Sequence, residues 1–130
     1  MKFDYRDLAG ISRTTKLTLA RRDDVSAGHL SVRTQLTALL PCTPFFEEIS
    51  IEVSKGKTLF FDFFVPTFSV FIEVQGEQHY KFNGFFHANK AAFHRQRFND
   101  GLKTKFCQAN NFRLVNVLPS DTISLEVLSG

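Results

Sequence analysis

The chain has 130 residues, is 43% hydrophobic with sixteen Phe and no Trp, and carries a formal net charge of +3. That is enough chain and apolar mass for one packed domain that buries roughly two-thirds of its unfolded surface, which excludes a disordered segment. No apolar run approaches the ~20 residues of a membrane span, the start MKFDYRDLAG lacks the apolar stretch of a signal peptide, and two cysteines make no disulfide framework. The expectation is an intracellular protein with Cys42 and Cys107 as free thiols.

Charge is spread unevenly. Residues 1–22 hold six Lys/Arg against two Asp, and residues 81–105 hold six against Asp100, whereas residues 41–77 hold Asp62 and five Glu against two Lys. Basic flanks around an acidic centre suit a polyanion partner whose chemistry needs local negative charge; chance clustering on a solvated surface accounts for the pattern equally well.

In chain order, residues 1–25 read as a polar, partly ordered basic lead-in, with RTTKLTLARR (13–22) either a DNA-contacting arm or a solvated tail. From Ser26, the spacing of Leu30, Val32, Leu36, Leu39 and Leu40 predicts a helix stopped by Pro41. EEISIEV alternates, with Glu47, Ile49, Ile51 and Val53 on one face of a half-buried strand, and SKGK (54–57) is a hairpin turn. TLFFDFFV (58–65) is apolar on both faces apart from Asp62 and predicts a central strand covered on both sides. SVFIEVQ (69–75) is another central strand, and residues 77–88 an aromatic, polar loop. A long helix follows to about Asn110, with a seam of Phe98, Leu102, Phe106 and Ala109, weakened at Gly101 by ~1 kcal/mol relative to Ala. FRLVNVL (112–118) closes the core as a strand, and residues 119–130 form a tail or short helix. The fold expected is a single α/β domain with its core at 26–118. Its mixed central sheet is a three-strand antiparallel meander plus a strand after a long helix, flanked by helices.

Two strand positions carry the chemistry. If the strands pair antiparallel about Thr67–Phe68, Asp62 lies opposite Glu73, with Cβ atoms ~4.5–5.5 Å apart. Carboxylates this close repel at reduced dielectric. A bound divalent cation removes that cost, and an all-oxygen donor set without a Cys or His cluster selects Mg²⁺ or Mn²⁺. Such an ion activates water for phosphodiester hydrolysis. Gln75, one pleat on, can orient that water or hold a phosphate oxygen. A buried acid satisfied by backbone, Lys or Arg is the plain alternative. In the loop, Lys81, His79 and His87 are interleaved with Tyr80, Phe82, Phe85 and Phe86, a mixture that can hold phosphate and wedge at base steps; Phe85 and Phe86 serve equally as a core cap or an oligomer contact. Lys81, His87 and, on the helix, Arg97 are the expected nucleic-acid contacts. His79, Asn83 and His87 spell H, N and H, but all lie in one loop, whereas an HNH nuclease divides them between a hairpin and a helix.

LFFDFFVP (59–66), FIEVQGEQHY (71–80) and FHRQRFNDGLKTKFCQANNFRLVNV (93–117) together resemble the PD-(D/E)XK nuclease superfamily, in particular the small phage and mobile-element endonucleases, homing enzymes among them, and more distantly the very-short-patch repair nucleases. The resemblance spans about residues 26–118 and implies a restriction-endonuclease-like fold, metal-binding carboxylates at Asp62 and Glu73, double-stranded DNA as substrate, and a homodimer or larger symmetric assembly for cutting both strands. Gln75 takes the place of the family's lysine, as in restriction-type members with Glu-x-Gln. Lys103, sharing a helix face with Gln96 and Asp100, is the candidate replacement, against a simple solvated face. The glutamate that many members carry on the first helix has no counterpart between Leu30 and Leu40, leaving Glu47, Glu48 or His29. The implied function is a Mg²⁺-dependent DNA endonuclease. The rivals are a mismatch- or junction-nicking repair enzyme, a non-catalytic nucleic-acid-binding module on the same fold, and an assembly protein using its Phe surface.

Overall fold

The computed structural model of the chain describes residues 1–75 and 90–130. The first departure from expectation comes at once. Residues 1–17 are part of the core: β1 (Lys2–Arg6) pairs antiparallel with β2 (Ser12–Lys16), with Phe3 facing Thr15. KFDYR is a period-two pattern that buries Phe3 and Tyr5 and exposes their neighbours. The Phe3 ring meets Phe64 edge-on at 5.2 Å, and the Tyr5 hydroxyl donates to the Glu52 carbonyl at 2.8 Å. Asp7 ties the connecting turn, its Oδ1 accepting from the Ala9 and Ile11 amides, both at 2.9 Å. The charge of this segment therefore sits on a folded hairpin.

Helix α1 (Ala27–Leu39) starts where Ser26 Oγ accepts from the His29 amide, a standard N-cap bond. It buries His29, Val32 and Leu36, at helical spacings of three and four. Leu30, expected in the core, is exposed. The main sheet follows, ordered β3 (Phe46–Ser54), β4 (Lys57–Val65), β5 (Val70–Val74), β6 (Arg113–Val117). The first two pairings are antiparallel and the last is parallel. Lys55 and Gly56, the latter at φ 78°, turn β3 into β4. A 3₁₀ turn at Pro66–Phe68 and a left-handed Ser69 turn β4 into β5. The chain reaches β6 through α2 (Lys90–Ala109), as a parallel neighbour requires a crossover, and ends in α3 (Leu125–Ser129). The result is a mixed α/β domain, a four-stranded mixed sheet with helices and a small antiparallel hairpin packed on it.

Two apolar clusters divide the sheet. On one face Ile49, Ile51, Leu59, Phe61 and Phe71 pack with Phe106 of α2 and with Phe3 and Tyr5 of the hairpin. On the other, Phe63, Val65, Val70 and Ile72 pack with Val32 and Leu36 of α1 and Leu128 of α3. Glu47 was expected beside Ile49, Ile51 and Val53. Glu48 adopts φ 50°, the alternation shifts there, and Glu47 instead meets His29 and Arg33 of α1. The α2 seam is also rotated from expectation: Phe106 and Cys107 are buried, Leu102 packs against them, and Phe98 is exposed. Among the described residues no helix is long and apolar enough to cross a membrane.

Candidate active site

The β4–β5 ladder is short. Phe63 faces Ile72, Phe64 faces Phe71 and Val65 faces Val70, which is the register expected from closure about Thr67–Phe68. β4 continues to pair with β3 as far as Lys57, so the sheet forks between β4 and β5 at Asp62 and Glu73. There side chains replace the ladder. The Asp62 amide donates to Glu73 Oε2 at 3.0 Å, and the Val74 amide donates to Asp62 Oδ2 at 2.8 Å. Each carboxylate thus satisfies a backbone N–H that the fork leaves without its strand partner.

Helix α2 roofs the fork. Lys103 Nζ bonds Glu73 Oε1, and it lies 5.3 Å from the centre of the Phe61 ring. Arg95, Gln96, Asn99 and Asp100 from the same helix line a cleft of about 480 Å³ with Asp62, Glu73 and Gln75. Lys57 Nζ reaches Asn99 Oδ1 at 2.6 Å, joining α2 to the start of β4. Behind the Lys103–Glu73 contact, a second cavity of about 190 Å³ is lined by Gln75, Asp100, Thr104 and Asn116. Burial pushes the Glu73 carboxyl up from its ordinary 4.5 to about 7, with Lys103 pulling it down and Asp62 adding to the rise. Glu73 is a buried acid at a polar cleft, held between an anion and a cation.

Four of the expected residues, Asp62, Glu73, Gln75 and Lys103, therefore meet in one place. Arg97 is exposed on α2, whose contribution to the cleft includes Arg95 and Asn99 rather than Arg97. Lys81 and His87, together with His79, Asn83 and the loop aromatics, lie outside the described residues. The candidates for a first-helix acid are drawn elsewhere. Glu47 accepts from His29 Nε2 at 2.8 Å and is paired with Arg33 at 2.8 Å and Arg21 at 2.9 Å, and Glu48 is bound by Arg22. Cys42 and Cys107 are free thiols, one exposed and one buried.

Asn99 and Arg95 are four and eight residues before Lys103, so helical periodicity alone could have assigned them to its face. Phe60 was expected in the core, yet it is 67% exposed and lines the cleft. Asn116 had no signal in the sequence, because its partner Gln75 lies far along the chain, just past the end of β5. Among the described residues no group of three or more His, Cys, Asp or Glu is placed to hold a metal. Two carboxylates and an amide nonetheless fit Mg²⁺, which keeps several waters and takes only one or two protein carboxylates.

Comparison with known proteins supplies viral relatives. The chain is 44% identical over 62 residues to uncharacterized protein 033L of Invertebrate iridescent virus 3, a match covering 48% of this chain and 32% of the relative. It is 41% identical over 69 residues to uncharacterized protein 307L of Invertebrate iridescent virus 6, covering 50% and 35%. The chain spans about a third of the length of these curated relatives. No protein-family model and no solved structure matches it.

Proposed function

We propose that the protein is a Mg²⁺- or Mn²⁺-dependent DNA endonuclease with a restriction-endonuclease-like core, acting on double-stranded DNA inside the cell as a symmetric homo-oligomer. The observation that carries this reading is the convergence of Asp62, Glu73, Gln75 and Lys103 at one fork of the sheet, under a helix that brings Arg95 to the same cleft. Asp62 and Glu73 hold the ion, whose Lewis acidity lowers the pKa of water and offsets phosphate charge. Lys103 supplies the fixed positive charge that Gln75 lacks, for the charge developing on the phosphate. Homing, restriction-like and mismatch- or junction-nicking enzymes all fit this chemistry, and the two viral relatives agree with a gene carried on a mobile or viral genome.

The Lys103–Glu73 contact favours one other reading. A carboxylate already neutralised by an ammonium suits a non-catalytic nucleic-acid-binding module on the same fold. A supercoiled-plasmid nicking assay with Mg²⁺ or Mn²⁺ separates the two. Wild type should cleave and Asp62→Asn should fall to background, with both binding duplex DNA and losing affinity steeply as salt rises. Binding without cleavage by wild type on paired, mismatched and branched substrates leaves the module; no salt-sensitive binding removes both.

A further inference from the structure

Gln75 stands where a charged residue would be expected, and its neighbour on β6 indicates why an amide is there. Gln75 Nε2 donates to Asn116 Oδ1 at 2.8 Å. Asn116 is the register partner of Glu73 in the parallel β5–β6 pair, so it shares the sheet face of Glu73 and Gln75 and lines the smaller cavity with them. The Gln75 amide N–H also donates to the Val117 carbonyl at 2.8 Å, so β6 holds this residue by its main chain and its side chain together.

We propose that Asn116 is a positioning residue that turns the Gln75 carbonyl oxygen, Oε1, toward the cleft and makes it the third oxygen donor of the cation site, beside Asp62 and Glu73. The inference rests on the metal-site reading of the preceding section. A side-chain amide has one acceptor and two N–H donors on opposite arms of a plane. With the nitrogen arm drawn toward β6 by Asn116, the oxygen arm points away from that strand. A phosphate oxygen needs a donor, whereas a cation, or a water in its shell, needs the oxygen. The orientation, which spends one N–H on Asn116 and leaves Oε1 for the cleft, favours the second role. Charge points the same way: a Glu here would add a third carboxylate beside two that already repel, and a Lys would compete with the ion for Glu73. A neutral oxygen donor adds a ligand without either cost.

The test is Mn²⁺ binding without DNA, followed by the electron paramagnetic resonance signal of free Mn²⁺, on wild type, Asp62→Asn, Asn116→Leu, Asn116→Asp and Gln75→Leu. Asn116 is exposed on its strand, and thermal unfolding checks that each variant is folded. Asn116→Leu and Gln75→Leu should each weaken Mn²⁺ by about 10–100-fold, the usual effect of losing an orienting neighbour or a weak ligand. Asn116→Asp keeps only the acceptor that Gln75 Nε2 needs, and should bind within about threefold of wild type or tighter. Wild-type affinity in Asn116→Leu, or an Asp variant as weak as the Leu variant, overturns the inference alone. Mn²⁺ binding that is absent, or indifferent to Asp62→Asn, overturns the metal-site reading and this inference with it.

Discussion

Lys103 bonds Glu73 across thirty residues of chain, so the cation expected near the site is the one already resting on a proposed metal ligand. The contact ties α2 to β5 at the fork, and both side chains are mostly withdrawn from water. An ammonium and a divalent ion then compete for the same carboxylate oxygen. Lys103→Met should tighten Mn²⁺ by about tenfold, a low-end effect for a group neighbouring a metal site. The same variant should lose about 10²-fold or more in single-turnover DNA cleavage, as other losses of a fixed transition-state charge do. Weaker Mn²⁺ binding together with unchanged cleavage would contradict both assignments.

The Glu73 carboxyl sets a pH dependence of stability. Its folded value, about 7, lies above its ordinary 4.5, so the folded chain holds a proton there that the unfolded chain has released over that interval. Its contribution is fully present below pH 4.5 and is lost as pH rises through about 7. The shift corresponds to about 3 kcal/mol. Urea unfolding of wild type and Glu73→Gln should show wild type losing stability relative to the variant between pH 4.5 and 7.5. Parallel profiles would mean that Glu73 does not titrate in that window.

Phe60 and Phe61 are sequence neighbours of opposite consequence. Phe61 is buried against Phe71, with ring centres 4.4 Å apart, whereas Phe60 is exposed. Phe61→Ala should cost about 3–5 kcal/mol in chemical denaturation and Phe60→Ser less than about 0.5. Comparable losses would place Phe60 in a packed contact.

Glu47 is a structural acid. His29, Arg33 and Arg21 converge on it, and its side chain is 1% exposed. Glu47→Ala leaves the Arg33 and Arg21 guanidiniums without their counter-charge and should destabilise by about 3–5 kcal/mol, while Mn²⁺ affinity of the folded fraction stays at the wild-type value. Selective loss of Mn²⁺ binding would instead bring Glu47 into the metal site.

Much of the frame was legible because its signals are local. Ser26 capping α1, Lys55–Gly56 turning β3 into β4, and the apolar runs of β4 and β5 are read within a few residues, and closure at Thr67–Phe68 carried the register that sets Asp62 beside Glu73. The N-terminal hairpin was hidden because KFDYR has only two buried side chains, whose value lies in Phe64, Phe71 and Phe106, far along the chain. Phe60 was misplaced because an apolar run on both faces does not say where the sheet forks and a covering helix ends.

Sequence by itself determined the element order from α1 to β6, the mixed α/β class and the placing of two acids side by side on adjacent strands, since alternation, caps and turns act over a few bonds. Only the tertiary structure decided that Lys103 meets Glu73, that Asn116 meets Gln75 and that Glu47 belongs to a buried cluster with His29. Those meetings depend on how α2 rotates over the sheet, where the β4–β5 ladder stops and how the left-handed Glu48 shifts its strand, and long-range packing sets all three.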